Sequence, residues 1–470
     1  MNISGNMTFD VEYIKSKFGE DPTLLIRTLG VKGKSLCTVL AFDGMIDGLN
    51  AAQSVILPTE KAISEGRFSP EYIEKTAIGN AETRREQSVE KILERLMYGD
   101  TLMLFNGTEY ALTFGTKGWQ RRGTQEPEGE RVVRGPREGF VESQLVNLGM
   151  LRRRLKTTEL AVEGMKFGKY SNTGAFICYL KNRVDQNVLA ELHRRLDKVE
   201  IEGVIDSNYI IEHIRDAPGS PFKTVGITER PDIVAAKLLE GRVAVIVDGS
   251  PCVITLPYLM IEMFQSNEDY YANYIYGSIN RLIRIVGFVL TVVLPGAYLA
   301  VITHHQEVLP QSLLLSITAS RQGVPFPTVV EMLLMMLAFE ILREASLRMP
   351  NNIGQALSIV GAIVLGQAAV EAQLVSAPLV IIVALTGTTT LMIPKSAGAT
   401  IVCRLWILFC GSILGLPGVL IGGLAVLIHL CRLESFGIAY FTDGEYGNND
   451  IFIRKRWGKL RYRDLFRRQK

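Results

Sequence analysis

The chain is poor in residues that do chemistry. Its 470 residues include 5 histidines and 6 cysteines. His193, His213 and His429 are scattered, and the adjacent His304 and His305 stand at the end of an apolar run, where a solvated or interfacial pair is expected. None of Cys37, Cys178, Cys252, Cys403, Cys410 and Cys431 forms a CxxC pair, so they read as small buried hydrophobes rather than metal ligands or disulfides. No P-loop, GxSxG, HExxH or glycine-rich dinucleotide fingerprint occurs. No enzyme activity, cofactor or metal is therefore expected. The net charge of +3 is too small to argue for a nucleic-acid partner. The N-terminus, MNISGNMTFDVEYIKSK, has no apolar core of a signal peptide, so the N-terminal region is expected to stay in the cytoplasm.

Charge is scarce in one half only. Hydrophobic residues make up 47% and charged residues 21% of the chain, yet residues 285–393 hold just eight Asp, Glu, Lys or Arg. Uncharged runs cover residues 285–303, 353–370, 372–394 and 405–431. A bilayer core takes ~20 apolar residues in a helix, so each is a candidate span. The last is interrupted at Gly415-Leu-Pro-Gly418 and is either one tilted helix or a broken element. Frequent small residues, among them Gly361, Gly366, Gly411 and Gly422, let helix backbones approach closely.

A fifth apolar stretch, residues 327–347, carries Glu331, Glu340, Arg343 and Glu344. At ~100° per residue, Glu340, Arg343 and Glu344 share one helix face and Glu331 lies opposite. Carboxylates are costly in lipid and usually face a bundle interior, a cavity or an interface. Two readings stay open: an Arg343–Glu340 pair at a helix end, or a role in a pore or gate. Arg281 and Arg284 before the first run place the preceding region inside. Lys395 and Arg404 flank the last hydrophobic element, and the basic tail, with nine Lys or Arg over residues 454–470, follows it. That tail reads as cytoplasmic and in reach of anionic lipid. Two cytoplasmic ends require an even number of crossings, whereas five segments are clear. Either the run at 405–431 turns back or the Glu-bearing helix does not cross fully.

The first 280 residues have the pattern of a soluble α/β region. Residues 102–105 and 109–114 around Asn106-Gly107 read as a β-hairpin, and residues 243–247 and 252–256 around Asp248-Gly249 as another. Both are expected to use type I′ turns, with φ > 0 at both central residues. A helix precedes each, near 88–97 and 231–239. An isolated strand stands further upstream, at 35–42 and 175–180, behind helical stretches near 11–29 and 141–166. Thr228-Glu-Arg-Pro-Asp232 reads as a helix start. Repetition of order and spacing predicts two related lobes. The expected architecture is an α+β/α/β cytoplasmic region of two related lobes followed by an all-α polytopic membrane domain. Its expected divisions are residues 1–125, 135–280, 281–433 and a basic tail at 434–470, with a polar, glycine-rich link at 114–135.

From residue 135 onward the chain resembles the A subunits of GerA-type spore germinant receptors. The matching segments are PREGFVES at 136–143, LRRRLK at 151–156, TERPD at 228–232 and LLEGRVAVIVDGSP at 238–251. SNEDYY at 266–271, VPFP at 324–327, FEILREASLRMP at 339–350 and GQAAVEA at 366–372 match too, through SFG at 435–437. The family usually continues past that SFG with a PY pattern, where this chain reads SFGIAYFTDGE. The resemblance implies a spore inner-membrane subunit acting with a transporter-like B subunit, which binds the nutrient, and a lipoprotein C subunit. It also implies a homo-oligomeric ring, expected to be a pentamer, that passes monovalent cations when nutrient binds. A paralogous branch acts beside the SpoVA channel. On this reading the helix at 327–350 lines the pore, with Glu331, Glu340 and Glu344 favouring cations, Arg343 among the pore and gate residues, and Leu347 as a dewetting gate. The alternatives are a secondary transporter, or a non-conducting scaffold whose lobes bind partners.

Overall fold

The computed structural model describes residues 2–31, 33–77, 79, 82–118, 130, 134–347, 361, 364–441 and 453–456. The first half is built twice on one plan. Helix α1 (Met7–Phe18) leads into β1 (Leu24–Val31) and β2 (Lys34–Phe42); β3 (Thr83–Glu86), helix α2 (Val89–Met97), β4 (Thr101–Phe105) and β5 (Ala111–Phe114) follow. Further on, α3 (Gln144–Arg154) leads into β6 (Leu160–Phe167) and β7 (Thr173–Leu180). After α4 (Gln186–Leu196) and α5 (Ser207–Ile214) come β8 (Gly226–Thr228), α6 (Pro231–Leu239), β9 (Val243–Val247) and β10 (Val253–Leu256). The two sheets have the same order, β1-β2-β4-β5-β3 and β6-β7-β9-β10-β8.

The central strands read as unbroken apolar runs because both faces of each sheet are covered. Side chains alternate across a strand. Leu102 and Leu104 therefore pack with Ile14 and Ile92 on one face of the first sheet, while Met103 and Phe105 pack with Val55 and Ile73 on the other. In the second sheet Val243, Val245 and Val247 join Leu192 and Ile210, while Ala244 and Ile246 join Leu151 and Leu238. The halves touch where Arg152 of α3 meets Asp21 in a buried ion pair and lies 4.0 Å from the ring centroid of Phe42.

Two local expectations need correction. The strands at 35–42 and 175–180 are not isolated: β1 and β6, in stretches expected to be helical, pair along their length with β2 and β7. Gly19, at φ 72°, ends α1 well before residue 29. LLIRTLGV carries apolar residues that satisfy a helical period almost as well as an alternating one, and edge pairing decides between them. The hairpins form, but not with two-residue turns. Residues 106–110 and 248–252 connect the strands, and of the paired turn residues only Gly107 and Gly249 take positive φ, 81° each. These loops are pinned from outside the ladder. The Gly107 N–H donates to the Gly5 carbonyl at 2.9 Å, and the Gly249 N–H to the Glu142 carbonyl at 2.8 Å. The link at 114–135 lies mostly outside the described residues.

The second half is helical: α7 (Tyr274–His304), α8 (Gln311–Ser320), α9 (Thr328–Leu347), a helical segment at 364–371, α10 (Ala377–Leu391), α11 (Ala397–Leu414) and α12 (Leu416–Arg432). Two of these, Tyr274–His304 and Pro394–Leu414, are long and apolar enough to cross a membrane; α10 and α12 are apolar but shorter. The run at 405–431 turns back, because Gly415 at φ 66° ends α11 and starts α12. The chain therefore runs back and forth. Helix α7 leaves the second sheet; α10 returns alongside it, with Thr389 bonded to Thr291 at 2.6 Å. Helix α11 then runs outward until the His304 ring meets the Ser412 carbonyl at 2.9 Å. Helix α12 returns until His429 reaches Ser220 at 2.8 Å. Beyond it, Ser435 bonds Tyr258 and Thr224 of the sheet region at 3.0 and 2.6 Å. The run expected at 353–370 lies mostly outside the described residues.

Candidate functional site in the helical bundle

Helix α9 places the predicted charges in three different settings. Glu331 has no solvent exposure. Its carboxylate accepts from the Ser376 N–H at 3.1 Å and the Ser376 hydroxyl at 3.0 Å, and Arg321 lies 3.5 Å away. It thus joins the start of α9 to the start of α10 and to the end of α8. Two turns on, Glu340 lies between two guanidinium groups, Arg404 of α11 at 2.5 Å and Arg343 at 2.7 Å. The expected Arg343–Glu340 pair is therefore present, but Arg404 shares it. Arg404, read from the sequence as a flanking cation, is instead 3% exposed and inside α11.

Glu344 sits differently. It is exposed, on the same stripe as exposed Val330, Leu333, Leu337 and Ile341. Helical spacing of three and four residues puts these side chains in one line. Leu347 ends the helix, and its side chain lies outside the described residues. The structure thus brings Glu340 and Arg343 together, holds Glu331 apart from them, and turns Glu344 outward. Much of the bundle's described outer surface is apolar: Leu282, Val286, Val402, Phe409, Leu420 and Leu424 are all exposed. Surface of this kind marks contact with lipid or protein.

A collar of buried charge joins the bundle to the second sheet. Sequence reasoning missed it, although SNEDYY contains its centre. Asp269, unexposed, binds Arg281 at 3.2 Å and Arg284 at 2.8 Å, so the two arginines at the head of α7 share one carboxylate. The TERPD segment starts a helix as expected, with Pro231 in the first turn of α6. Its Arg230 is also buried and holds Asp232 at 2.9 Å. Nearby, Glu262 lies between Arg242 and Lys237, the latter at 2.7 Å. Burial alone would raise the Glu262 pKa, but Arg242 and Lys237 outweigh it and pull it down to about 2. The chain end returns to this collar. The Arg454 guanidinium donates to the Ala272 and Tyr270 carbonyls at 2.6 and 3.0 Å.

Among the described residues no cluster of three or more His, Cys, Asp or Glu could hold a metal ion. The arrangement is one of charge held inside an apolar bundle, with a collar fixing that bundle to the second sheet.

Comparison with known proteins matches this chain over nearly its whole length. The family model for the Bacillus/Clostridium GerA spore germination protein covers residues 12–466. Spore germination protein KA of Bacillus subtilis (strain 168) is 38% identical over 466 residues, which is 97% of this chain and 85% of that protein. Spore germination protein GerLA of Bacillus cereus is 32% identical over 448 residues, 94% of this chain and 91% of that protein. The crystal structure of the N-terminal domain of the A subunit of the Bacillus megaterium spore germinant receptor GerK3 is 26% identical. It covers 55% of this chain and 98% of that one, at a TM-score of 0.41. The chain belongs to the GerA spore germination protein family.

Proposed function

We propose that this chain is a membrane subunit of a nutrient germinant receptor, and that several copies form a cation-conducting pore lined by α9. The observation that carries this reading is the α9 stripe. An exposed carboxylate, Glu344, ends a row of exposed apolar side chains from Val330 to Ile341. In a lone chain this stripe, carboxylate included, would face lipid, where charge is unfavourable. A ring of copies would turn it toward an aqueous axis instead, where a carboxylate ring favours cations. A pentamer is the ring size proposed.

On this reading the bundle spans the spore inner membrane several times, with the sheet region and the chain end on the cytoplasmic side. A transporter-like B subunit binds the nutrient and a lipoprotein C subunit completes the receptor. Glu331 and Glu340 brace α9 against α10 and α11 in the pore wall, Arg343 fixes Glu340, and Leu347, whose side chain lies outside the described residues, is proposed as the dewetting gate. Helix α9 also offers a way to gate. The Glu340–Arg404 pair ties it to α11, so a movement between the two helices would have to break that pair.

Potassium-loaded liposomes carrying the purified full-length chain test the reading. The proposal expects potassium release that rises more steeply than linearly with protein density. Disulfide cross-links between copies bearing Leu337→Cys are expected in the same vesicles. Cross-linked copies without any potassium release would favour a non-conducting scaffold. Release at carrier-like turnover, coupled to a solute, would favour a transporter.

A further inference from the structure

A cavity of about 280 Å³ lies where the second sheet meets the helical bundle. Its wall comes from β8 and α6, from the segment leading into α7, and from Lys395 in the turn between α10 and α11. Five cations and three carboxylates line it.

The carboxylates are engaged within the protein. Asp232 is held by Arg230 at 2.9 Å and by the Tyr271 hydroxyl at 2.6 Å. Glu262 lies between Lys237 and Arg242, and Glu240 lies 3.1 Å from Arg242. Among the cations, Arg154 is paired with Glu138 at 2.6 Å. Two lysines remain. Among the described residues Lys395 is ion-paired with Glu130, at 3.8 Å. Lys223, exposed on its outer side, has no ion-pair or hydrogen-bond partner among the described residues; partial desolvation and the like charge of Lys395 lower its pKa against the opposite pull of Glu130. Among the described residues these two lysines thus share one carboxylate, Glu130, which leaves a positive charge on this wall unbalanced. Two lysines contributed by separate parts of the fold face one space.

We propose that this cavity binds an oxyanion, a phosphate or carboxylate group, between Lys223 and Lys395. Flexible ammonium groups suit such a ligand, since each acts as a point charge with rotatable donors. At ~30 Å³ per water the space holds roughly nine waters, enough for a headgroup or a small organic acid. The ligand is either the headgroup of an anionic lipid, at the sheet-side end of the bundle, or a soluble anion. In both cases it bridges the sheet region, through Lys223, and the bundle, through Lys395. Occupancy would then bias how the two sit together, by as much as the ligand's affinity differs between their arrangements. The proposal stands on the cavity and not on conduction, so loss of anion binding and loss of current are separate results.

The test is thermal unfolding of the full chain in a phosphate-free maltoside detergent. Two probes are titrated at constant ionic strength, inorganic phosphate and micellar phosphatidylglycerol. At least one is expected to raise the Tm saturably. Lys223→Gln with Lys395→Gln should require at least tenfold more probe, while Lys198→Gln, at an exposed site away from the cavity, should not. A response to phosphate alone assigns a soluble anion; a response to phosphatidylglycerol alone assigns a headgroup; a response to both assigns the shared oxyanion chemistry. The proposal is overturned if neither probe shifts the wild-type Tm, or if the double variant responds like wild type. It is equally overturned if Lys198→Gln weakens the response as much. Should the double variant fail to fold, Lys395→Gln alone is held to the tenfold criterion.

Discussion

Glu340 and Arg404 pair at 2.5 Å across α9 and α11, and Arg404 is 3% exposed. Arg343 lies 2.7 Å from the other carboxylate oxygen. Removing one partner of a buried pair leaves an uncompensated charge, at a cost of about 3–5 kcal/mol. Because Arg343 still holds Glu340, Arg404→Met is expected to destabilise the bundle by less than that, about 1–3 kcal/mol. Glu340→Gln should cost less in the Arg404→Met background than in wild type, because Arg404 is then no longer left without its carboxylate. A double-mutant cycle on thermal unfolding in detergent measures both. An Arg404→Met protein melting within a degree of wild type would show that the pair contributes nothing.

Glu262 gives a pH dependence with a definite sign. Its folded pKa is about 2 against an ordinary 4.5, so the carboxylate stabilises the fold fully above about pH 4.5. That contribution is lost as pH falls toward 2. Comparing wild type with Glu262→Gln, the Tm gap should be constant from pH 7 to about 5.5 and shrink progressively below 4.5. A gap that stays unchanged at pH 3 contradicts the assignment of Glu262 as the carboxylate binding Lys237 and Arg242.

Two glycines of α12 separate close packing from helix propensity. A Cβ on Gly418 would stand 2.1 Å from the Cys410 carbonyl oxygen of α11, whereas a Cβ on Gly423 meets nothing within 4 Å. Gly418→Ala is expected to cost about 1–3 kcal/mol as α12 is pushed off α11. Gly423→Ala should be neutral or stabilising by up to about 1 kcal/mol. Tm shifts of the same sign and size in the two variants would argue against the tight turn at Gly415.

The cysteines differ in reactivity by position. Burial pushes the Cys37 and Cys178 thiols up to about 12, while Cys431 is exposed on α12. The thiolate is the reactive form. A membrane-permeant maleimide at pH 8 should label Cys431 first, and Cys37 and Cys178 only on denaturation, as read by peptide mass spectrometry. Early labelling of Cys37 would mean that the first sheet opens locally.

What the sequence made legible was local. Glycines at 107 and 249 and apolar runs beside them mark both hairpins, because turn chemistry and burial act over a few residues. The repeat of order was legible for the same reason. Strands β1 and β6 were not, since their partners, and not their own pattern, decide their conformation. The charges on α9 could be assigned to faces by period alone, but not the contacts that hold them. Arg404 stands 64 residues from Glu340 along the chain, and a cation in an apolar run looks like a helix end until the opposing carboxylate is seen. Asp269 was hidden in the same way, because its two arginines belong to the next element.

Single-channel recording of the purified full-length chain in planar bilayers tests the central claim most directly. Under a potassium chloride gradient, the account predicts discrete currents with a reversal potential near that of potassium. Glu344→Gln should move the reversal potential toward zero without abolishing the currents. Absence of currents from folded, oligomeric protein, or a reversal potential unmoved by Glu344→Gln, would contradict an α9-lined cation pore.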